Sequence, residues 1–175
     1  ALAEPSRCLD TERKLLLNGC QRDPGTHLVQ LATISEAWLL QLHHPMALEI
    51  TRELMAAAHI CKVGFGLDND RHSLPQKLAA DLVNIQDLDK RFKQHGYGAS
   101  VGVRAAAALV LQRSFHKSKR TTTSNWAAQQ LSPAQVRYAA NDAHAPAVIH
   151  AALDSWQPPA APYPAPGSRR STHPR

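Results

Sequence analysis

The chain has 175 residues, of which 43% are hydrophobic, and this length and composition fit one globular domain with its own core. No apolar run reaches the roughly 18 residues that a membrane-spanning helix needs, so the sequence predicts no transmembrane segment. The formal net charge is +6, but three arginines near the C-terminus supply half of it, so a nucleic-acid partner is suggested rather than established.

Three cysteines, Cys8, Cys20 and Cys61, form an odd number without C-x-x-C spacing. This argues against a disulfide framework and against a zinc site, and it favours a reducing compartment. The first ten residues, ALAEPSRCLD, lack the charged-then-apolar pattern of a signal peptide. We therefore expect an intracellular protein, cytoplasmic or nuclear. The sequence does not predict its oligomeric state.

The first third of the chain predicts strands. EPSRCLDTE is less apolar than most buried strands, and Pro5 and Arg7 predict that this first strand is short or frayed. The apolar runs 27–34 and 37–42 predict two buried strands separated by a short turn. A helix with proline in its first turn follows over 45–58.

Strand and helix patterns then alternate, with a short strand over 60–66, a helix over 74–82, a strand over 83–88 and a helix over 101–115. The last helix has a clear start, because Ser132 is placed to cap it, Pro133 to occupy its first turn and Gln135 to complete a capping box. Pro146 predicts a kink within this helix. Strands first and then alternation predict an α/β fold with a mixed sheet.

The C-terminal stretch differs in composition from the rest. Residues 157–175 contain six of the twelve prolines and three arginines but no acidic residue. Such a stretch cannot bury a core, so it predicts a flexible tail that follows a folded domain of residues 1–156.

Acidic residues at i and i+2 occur three times. On a strand, Asp10 and Glu12 would point to the same face, where a divalent cation offsets their repulsion, although an exposed edge strand or turn fits the spacing as well. In GFGLDND the glycines permit a sharp turn that projects Asp70 over the sheet edge, and the alternative is a surface turn. Asp87 and Asp89 are typical of a strand end and a helix cap.

The segment RYAANDAHAPAVIH contains one carboxylate, Asp142, among small apolar residues of the last helix. Tyr138 lies four residues earlier and therefore on the same helix face. An isolated carboxylate there would be costly or protonated, and a metal ion would remove that cost. A phenol one turn away could hold a water molecule beside the metal.

Four motifs, LDTE, KVGFGLDND, KSKRTTTSNWAAQQLSPAQ and YAANDA, occur in this order across roughly residues 8–155. Together they resemble the 3′→5′ exonuclease domain shared by RNase D and the Werner-type helicase exonucleases, the tyrosine branch of the DEDD superfamily. The resemblance implies a ribonuclease H-like fold, in which α-helices flank a mixed β-sheet.

The resemblance also implies two divalent cations, Mg²⁺ or Mn²⁺, held by the site residues Asp10, Glu12, Asp70 and Asp142. It implies that Asp10 bridges the two cations, that Glu12 and Asp142 complete the site of the water-activating one, and that Asp70 acts mainly through the other. Tyr138 would orient the attacking water. The expected substrate is the 3′ end of single-stranded RNA or DNA, and the expected product is a nucleoside 5′-monophosphate.

Four further residues are candidates for substrate binding. Lys117, Lys119 and Arg120 fit contacts to phosphates, and a solvated basic loop fits equally well. Trp126 either stacks on a base or anchors its loop in the core. Two other functions remain open: a degenerate domain that binds nucleic acid or a protein without cleaving, and a ribonuclease H-like endonuclease, against which the spacing of Tyr138 and Asp142 argues.

Overall fold

The computed structural model describes residues 6–13, 25–97 and 99–158, and their strands form one mixed five-stranded sheet. The strands in chain order are β1 (Ser6–Arg13), β2 (Thr26–Ala32), β3 (Ala37–Gln41), β4 (Cys61–Gly64) and β5 (Ile85–Asp87). Their order across the sheet is β3-β2-β1-β4-β5. The pairs β1–β2 and β2–β3 are antiparallel, whereas β1–β4 and β4–β5 are parallel. The predicted α/β fold with a mixed sheet is confirmed.

Helices cover both faces of this sheet. In the described part of the chain they are α1 (Pro45–Ala56), α2 (Asp68–Leu78), α3 (Leu88–Gln94), α4 (Val103–Leu111), α5 (Lys119–Thr122) and α6 (Pro133–Leu153). The capping box of α6 forms as predicted, since the Gln135 backbone N–H donates to Ser132 Oγ and the Ser132 N–H donates to the Gln135 side chain. The helix start predicted at Asp87 and Asp89 is that of α3, whereas the short helix α5 was not predicted.

Two local predictions differ from the structure, and the kink at Pro146 stays a prediction. The helix predicted over 74–82 begins earlier, at Asp68, because acidic residues suit the first turn of a helix; Pro75 lies inside the helix and does not start it. The first strand is neither short nor frayed, since β1 has eight residues and hydrogen-bonded neighbours on both sides. Helix α6 continues through Pro146 to Leu153.

The two faces of the sheet have different cores because side chains alternate along each strand. We call one the α6 face; there Cys8, Ala32 and Val63 pack against residues of α6, among them Ala143, Ala147 and Ile149. We call the other the aliphatic face; there Leu9, Val29 and Leu31 pack against residues of α1 and α2 and their flanks, among them Met55, Leu67, Leu74 and Leu78. Asp10 and Glu12 follow Cys8 at alternate positions of β1 and therefore belong to the α6 face.

Glycines set the turn from β4 into α2. A Cβ atom on Gly64 would lie 2.5 Å from the carbonyl oxygen of Leu9, so β4 and β1 approach closely at this point. Gly66 has a φ of 68°, a conformation that favours glycine. The predicted sharp turn after this strand is therefore confirmed.

Among the residues described, no helix combines the length and the apolar character needed to span a lipid bilayer. The predicted tail, residues 157–175, lies outside the described residues from position 159 onward.

Candidate active site

Three carboxylates converge on the α6 face where β1 passes beneath α6. Asp10 and Glu12 project from β1, and Asp142 projects from the middle of α6. One carboxylate oxygen of each lies within 4.8 Å of those of the other two. Glu12 is 8% exposed and Asp142 only 3%, so the cluster is largely removed from water. The fold thus brings together residues that are separated by about 130 positions in the sequence.

Burial and mutual repulsion change the protonation of these acids. Burial raises the pKa of Asp10 to about 7, and the Asp142 carboxylate adds to this rise. Burial likewise raises the pKa of Glu12 to about 9, with further contributions from Asp10 and Asp142. Three carboxylates crowded in this way resist holding three negative charges unless a cation is present.

Lys117 supplies a positive charge to the cluster. Its Nζ lies 2.9 Å from Oδ1 of Asp142, and its side chain is 32% exposed. Burial lowers the pKa of Lys117, but the carboxylates of Asp10, Asp142 and Glu12 outweigh burial and raise it overall. The ammonium therefore remains charged and neutralises part of the negative charge of the three carboxylates. Lys117 is not a side chain of a fully solvated loop.

Asp70 approaches the site from the aliphatic face. It lies in the first turn of α2, is 8% exposed, and is not one of the three clustered carboxylates. Its Oδ1 accepts a hydrogen bond from Oγ1 of Thr11, the residue between Asp10 and Glu12 that points to the opposite face. Its charge nevertheless contributes to the raised pKa values of both neighbours of Thr11. Sequence reasoning did not identify Thr11, although its position between two acids is a usable signal.

Tyr138 borders the cluster one turn before Asp142. Its hydroxyl lies 2.8 Å from Oγ1 of Thr122, a contact that the sequence did not predict. Burial raises the pKa of Tyr138, as do the charges of Asp142 and Glu12. The phenol therefore remains protonated near neutral pH and is suited to orient a ligand by hydrogen bonding rather than to act as a base.

Trp126 anchors the segment that carries Thr122. It is fully buried, packs with Leu28 and Ala139, and donates from Nε1 to the carbonyl oxygen of Thr122 at 3.1 Å. Its ring lies 5.8 Å from that of Tyr138. A ring without exposed surface cannot stack on a base, so the base-stacking alternative is wrong and the anchoring one holds.

The remaining sequence candidates lie outside the carboxylate cluster. Lys119 and Arg120 are exposed on α5, immediately after Lys117. Asp87 ends β5 and caps α3, where its side chain accepts from the backbone N–H of Asp89 at 3.0 Å. The structural interpretation of Asp87 and Asp89 is therefore confirmed.

The donor set fits a divalent cation of the Mg²⁺ type. Asp10, Glu12 and Asp142 offer hard oxygen ligands, which Mg²⁺ and Mn²⁺ prefer, and burial together with the neighbouring carboxylates raises the pKa values of Asp10 and Glu12. Lys117 and Tyr138 are both partly exposed, so solvent reaches the edge of the cluster. Carboxylates at this spacing can organise a phosphate and a water molecule around bound cations.

Comparison with known proteins gives one family and a consistent set of folds. The family model described as "3'-5' exonuclease" matches residues 4–155. No curated protein sequence matches the chain. The structure of RNase D from Trypanosoma brucei is similar, with a TM-score of 0.73 and 17% identity; the match covers 86% of this chain and 58% of that one. The chain thus spans less than two thirds of that relative's length.

Two further solved structures are similar. NrnC from Brucella melitensis has a TM-score of 0.70 and 24% identity, and the match covers 87% of this chain and 73% of that one. The complex of Trypanosoma brucei RNase D with RNA U12 has a TM-score of 0.71 and 17% identity, covering 86% of this chain and 56% of that one. At these identities the likeness shows the fold.

Proposed function

We propose, because the chain belongs to the 3′-5′ exonuclease family, that it hydrolyses phosphodiester bonds from the 3′ end of single-stranded RNA or DNA. The products would be nucleoside 5′-monophosphates. The observation that carries this proposal is the convergence of Asp10, Glu12 and Asp142 within 4.8 Å beneath α6. The RNA bound to Trypanosoma brucei RNase D, a protein of similar fold, supports nucleic acid as the substrate.

The carboxylates would hold two divalent cations, Mg²⁺ or Mn²⁺. Asp10 would be a ligand of both cations, Glu12 and Asp142 would complete the site of one, and Asp70, which bonds to Thr11 between Asp10 and Glu12, would act mainly through the other. When bound, such cations lower the pKa of an attacking water and stabilise the charge on the leaving oxygen. The raised pKa values of Asp10 and Glu12 mean that cation binding releases protons.

The other residues of the site act on water and phosphate. The protonated hydroxyl of Tyr138 would donate a hydrogen bond to the attacking water and so fix its direction of approach. Trp126 holds Thr122 and α5 in place and thereby positions the Tyr138 hydroxyl. Lys117 would leave Asp142 when a cation binds, and its ammonium would then be available to a phosphate oxygen. Lys119 and Arg120 extend this positive surface along α5.

A strand labelled at its 3′ end tests the proposal. With Mg²⁺ or Mn²⁺ the protein should release labelled mononucleotide from the first turnover, from RNA, DNA or both, and a chelator should stop the release. Cleavage of a circular single strand at a comparable rate would identify an endonuclease and reject an end-directed mechanism.

A second function, binding of nucleic acid without cleavage, is favoured by one observation. The Lys117–Asp142 ion pair already neutralises part of the cluster, as it would in a domain that no longer binds metal. This function predicts binding of a 3′-labelled strand in the presence of chelator and no mononucleotide at any concentration of Mg²⁺ or Mn²⁺.

A further inference from the structure

Gln30 of β2 carries a buried amide that packing alone does not explain. Its side chain is fully buried, yet neither its amide nitrogen nor its amide oxygen has a hydrogen-bond partner among the described residues. Buried polar groups are nearly always paired, and each unpaired one costs about 1–3 kcal/mol. An apolar side chain would be the stable choice at such a position if packing were its only role.

The register of the sheet places Gln30 beside the carboxylate cluster. In the antiparallel ladder of β1 and β2, Gln30 pairs directly with Asp10, between the pairs Cys8–Ala32 and Glu12–Leu28. Directly opposed residues point to the same face, with Cβ atoms about 4.5–5.5 Å apart. On that face Leu28 packs with Ala139 of α6, and Ala32 belongs to the cluster that contains Ala143. The Gln30 amide is therefore enclosed between the sheet and α6.

The hydrogen bonds of Asp10 leave room for a further donor. Its Oδ1 accepts from the backbone N–H of Thr11 at 2.9 Å. A carboxylate has about four acceptor positions, and one that binds a cation through one side needs donors on the other side to fix its orientation. The amide of Gln30, on the residue paired with Asp10 across the ladder, offers two N–H donors and adds no charge that would compete with a cation.

We propose that Gln30 is a positioning residue for Asp10: when cations occupy the site, the amide nitrogen of Gln30 donates a hydrogen bond to the Asp10 carboxylate and holds it towards them. This inference rests on the proposed function, since it requires that Asp10 binds a cation. On this inference, the buried amide of Gln30 serves to orient the cation ligand Asp10 and does not serve to pack the core.

The variant Gln30→Met tests this inference, because methionine has a similar shape and cannot donate. The matched control is Thr26→Val, since Thr26 is also fully buried, has an unpartnered hydroxyl among the described residues, and lies on the same face four positions earlier, opposite Arg13. Both variants remove an unpaired polar group, so both should keep or raise the melting temperature of the metal-free protein.

Only Gln30→Met should weaken Mn²⁺ binding, by about tenfold in a titration without substrate, which is the range for residues that orient metal ligands. Its turnover should recover as Mn²⁺ is raised, because the defect lies in loading of the site. A Gln30→Met affinity within twofold of the wild type, or an equal loss in Thr26→Val, would overturn the inference. If the wild type itself bound no Mn²⁺, the proposed function would fail instead.

A measurement on the wild-type protein covers the case in which Gln30→Met does not fold. The side-chain amide resonances of Gln30, assigned by triple-resonance NMR, should move downfield during a Mg²⁺ titration with the same midpoint as the binding isotherm. Resonances that stay unchanged through saturation would overturn the inference as directly as the variant would.

Discussion

The two faces of the sheet are built for different purposes. On the aliphatic face, Leu9, Val29 and Leu31 meet a core of leucines and Met55, and the interior there is apolar. On the α6 face, the same strands contribute Asp10, Glu12 and Gln30 beside small residues such as Ala32. The aliphatic face therefore stabilises the domain by burying hydrocarbon, whereas the α6 face buries hydrocarbon as well but also encloses charge and amide groups, whose burial is costly unless a partner such as a cation is present.

The largest expected effect comes from removing a ligand on the α6 face. Asp142→Ala should lower turnover by about a thousandfold or more, because a carboxylate that organises metal ions supports several kcal/mol of transition-state stabilisation. Stability of the metal-free protein should hold, since Lys117 keeps Asp10 and Glu12 as partners. Thermal unfolding and a 3′-labelled strand measure the two quantities.

The matched control for this variant is Asp154→Ala. Asp154 follows the last turn of α6 and pairs with Arg91 in an exposed ion pair, which contributes little to stability. Equal loss of turnover in Asp154→Ala would show that removal of any charge near α6 lowers turnover.

On the aliphatic face, a substitution should lower stability and leave turnover unchanged. Met55→Ala should lower the free energy of unfolding by about 2–5 kcal/mol, because the fully buried side chain leaves a cavity. Its turnover at a temperature where it is folded should match the wild type. Met46→Ala, in the first turn of the same helix and 76% exposed, should change the unfolding free energy by less than about 0.5 kcal/mol in urea titrations.

Tyr138→Phe should separate chemistry from metal binding. Only the hydroxyl is lost, so Mn²⁺ affinity should be unchanged while turnover falls by about a hundredfold, within the range for a group that positions a reacting water. Tyr97→Phe is the control, because Tyr97 packs against Phe92 and Trp156 away from the carboxylates. Unchanged turnover in Tyr138→Phe would exclude a role for the phenol in the reaction.

Lys117→Met should raise the affinity for a cation, whereas removal of a binding-site residue usually lowers affinity. The cation would no longer displace an ammonium from Asp142, so Mg²⁺ affinity without substrate should rise by roughly fivefold, equivalent to about 1 kcal/mol for a partly buried ion pair. The Michaelis constant for the strand should rise at the same time. Lys119→Met, which removes an exposed charge two residues later, should leave the Mg²⁺ affinity as it is.

The comparison also predicts a pH dependence for the stability of the metal-free protein. The pKa values of Asp10 and Glu12 are raised to about 7 and about 9, so between pH 4 and pH 9 the folded state binds more protons than the unfolded state. The stability contributed by these groups is present at low pH and is lost as the pH rises. Glu12→Gln should flatten this decline in urea titrations at pH 5, 7 and 9, and the exposed Glu53→Gln should not.

The sequence predicted those parts of the fold that depend on local pattern. The apolar runs over 27–34 and 37–42 identified β2 and β3, and Ser132 with Gln135 identified the start of α6. It misplaced α2 because Pro75 is a start signal in many helices but lies inside this one. Local pattern carries no information about which neighbour a side chain will meet, and that limit determined the errors in the site.

Within the site, the four acids were found because their motifs occur in a fixed order, and three of them do converge. The position of Lys117 against Asp142 was not predicted, since a contact across 25 residues depends on how the segment after α4 folds back over α6. The burial of Trp126 and the unpaired amide of Gln30 are likewise products of packing between separate elements. Neither leaves a periodic signal in the sequence.

The most direct test of the central claim is anomalous diffraction from crystals soaked in Mn²⁺. If the α6 face is a cation site, two anomalous peaks about 4 Å apart should appear among Asp10, Glu12 and Asp142, with Lys117 displaced from its ion pair. Crystals at saturating Mn²⁺ that show no peak there and an intact Lys117–Asp142 pair would contradict it.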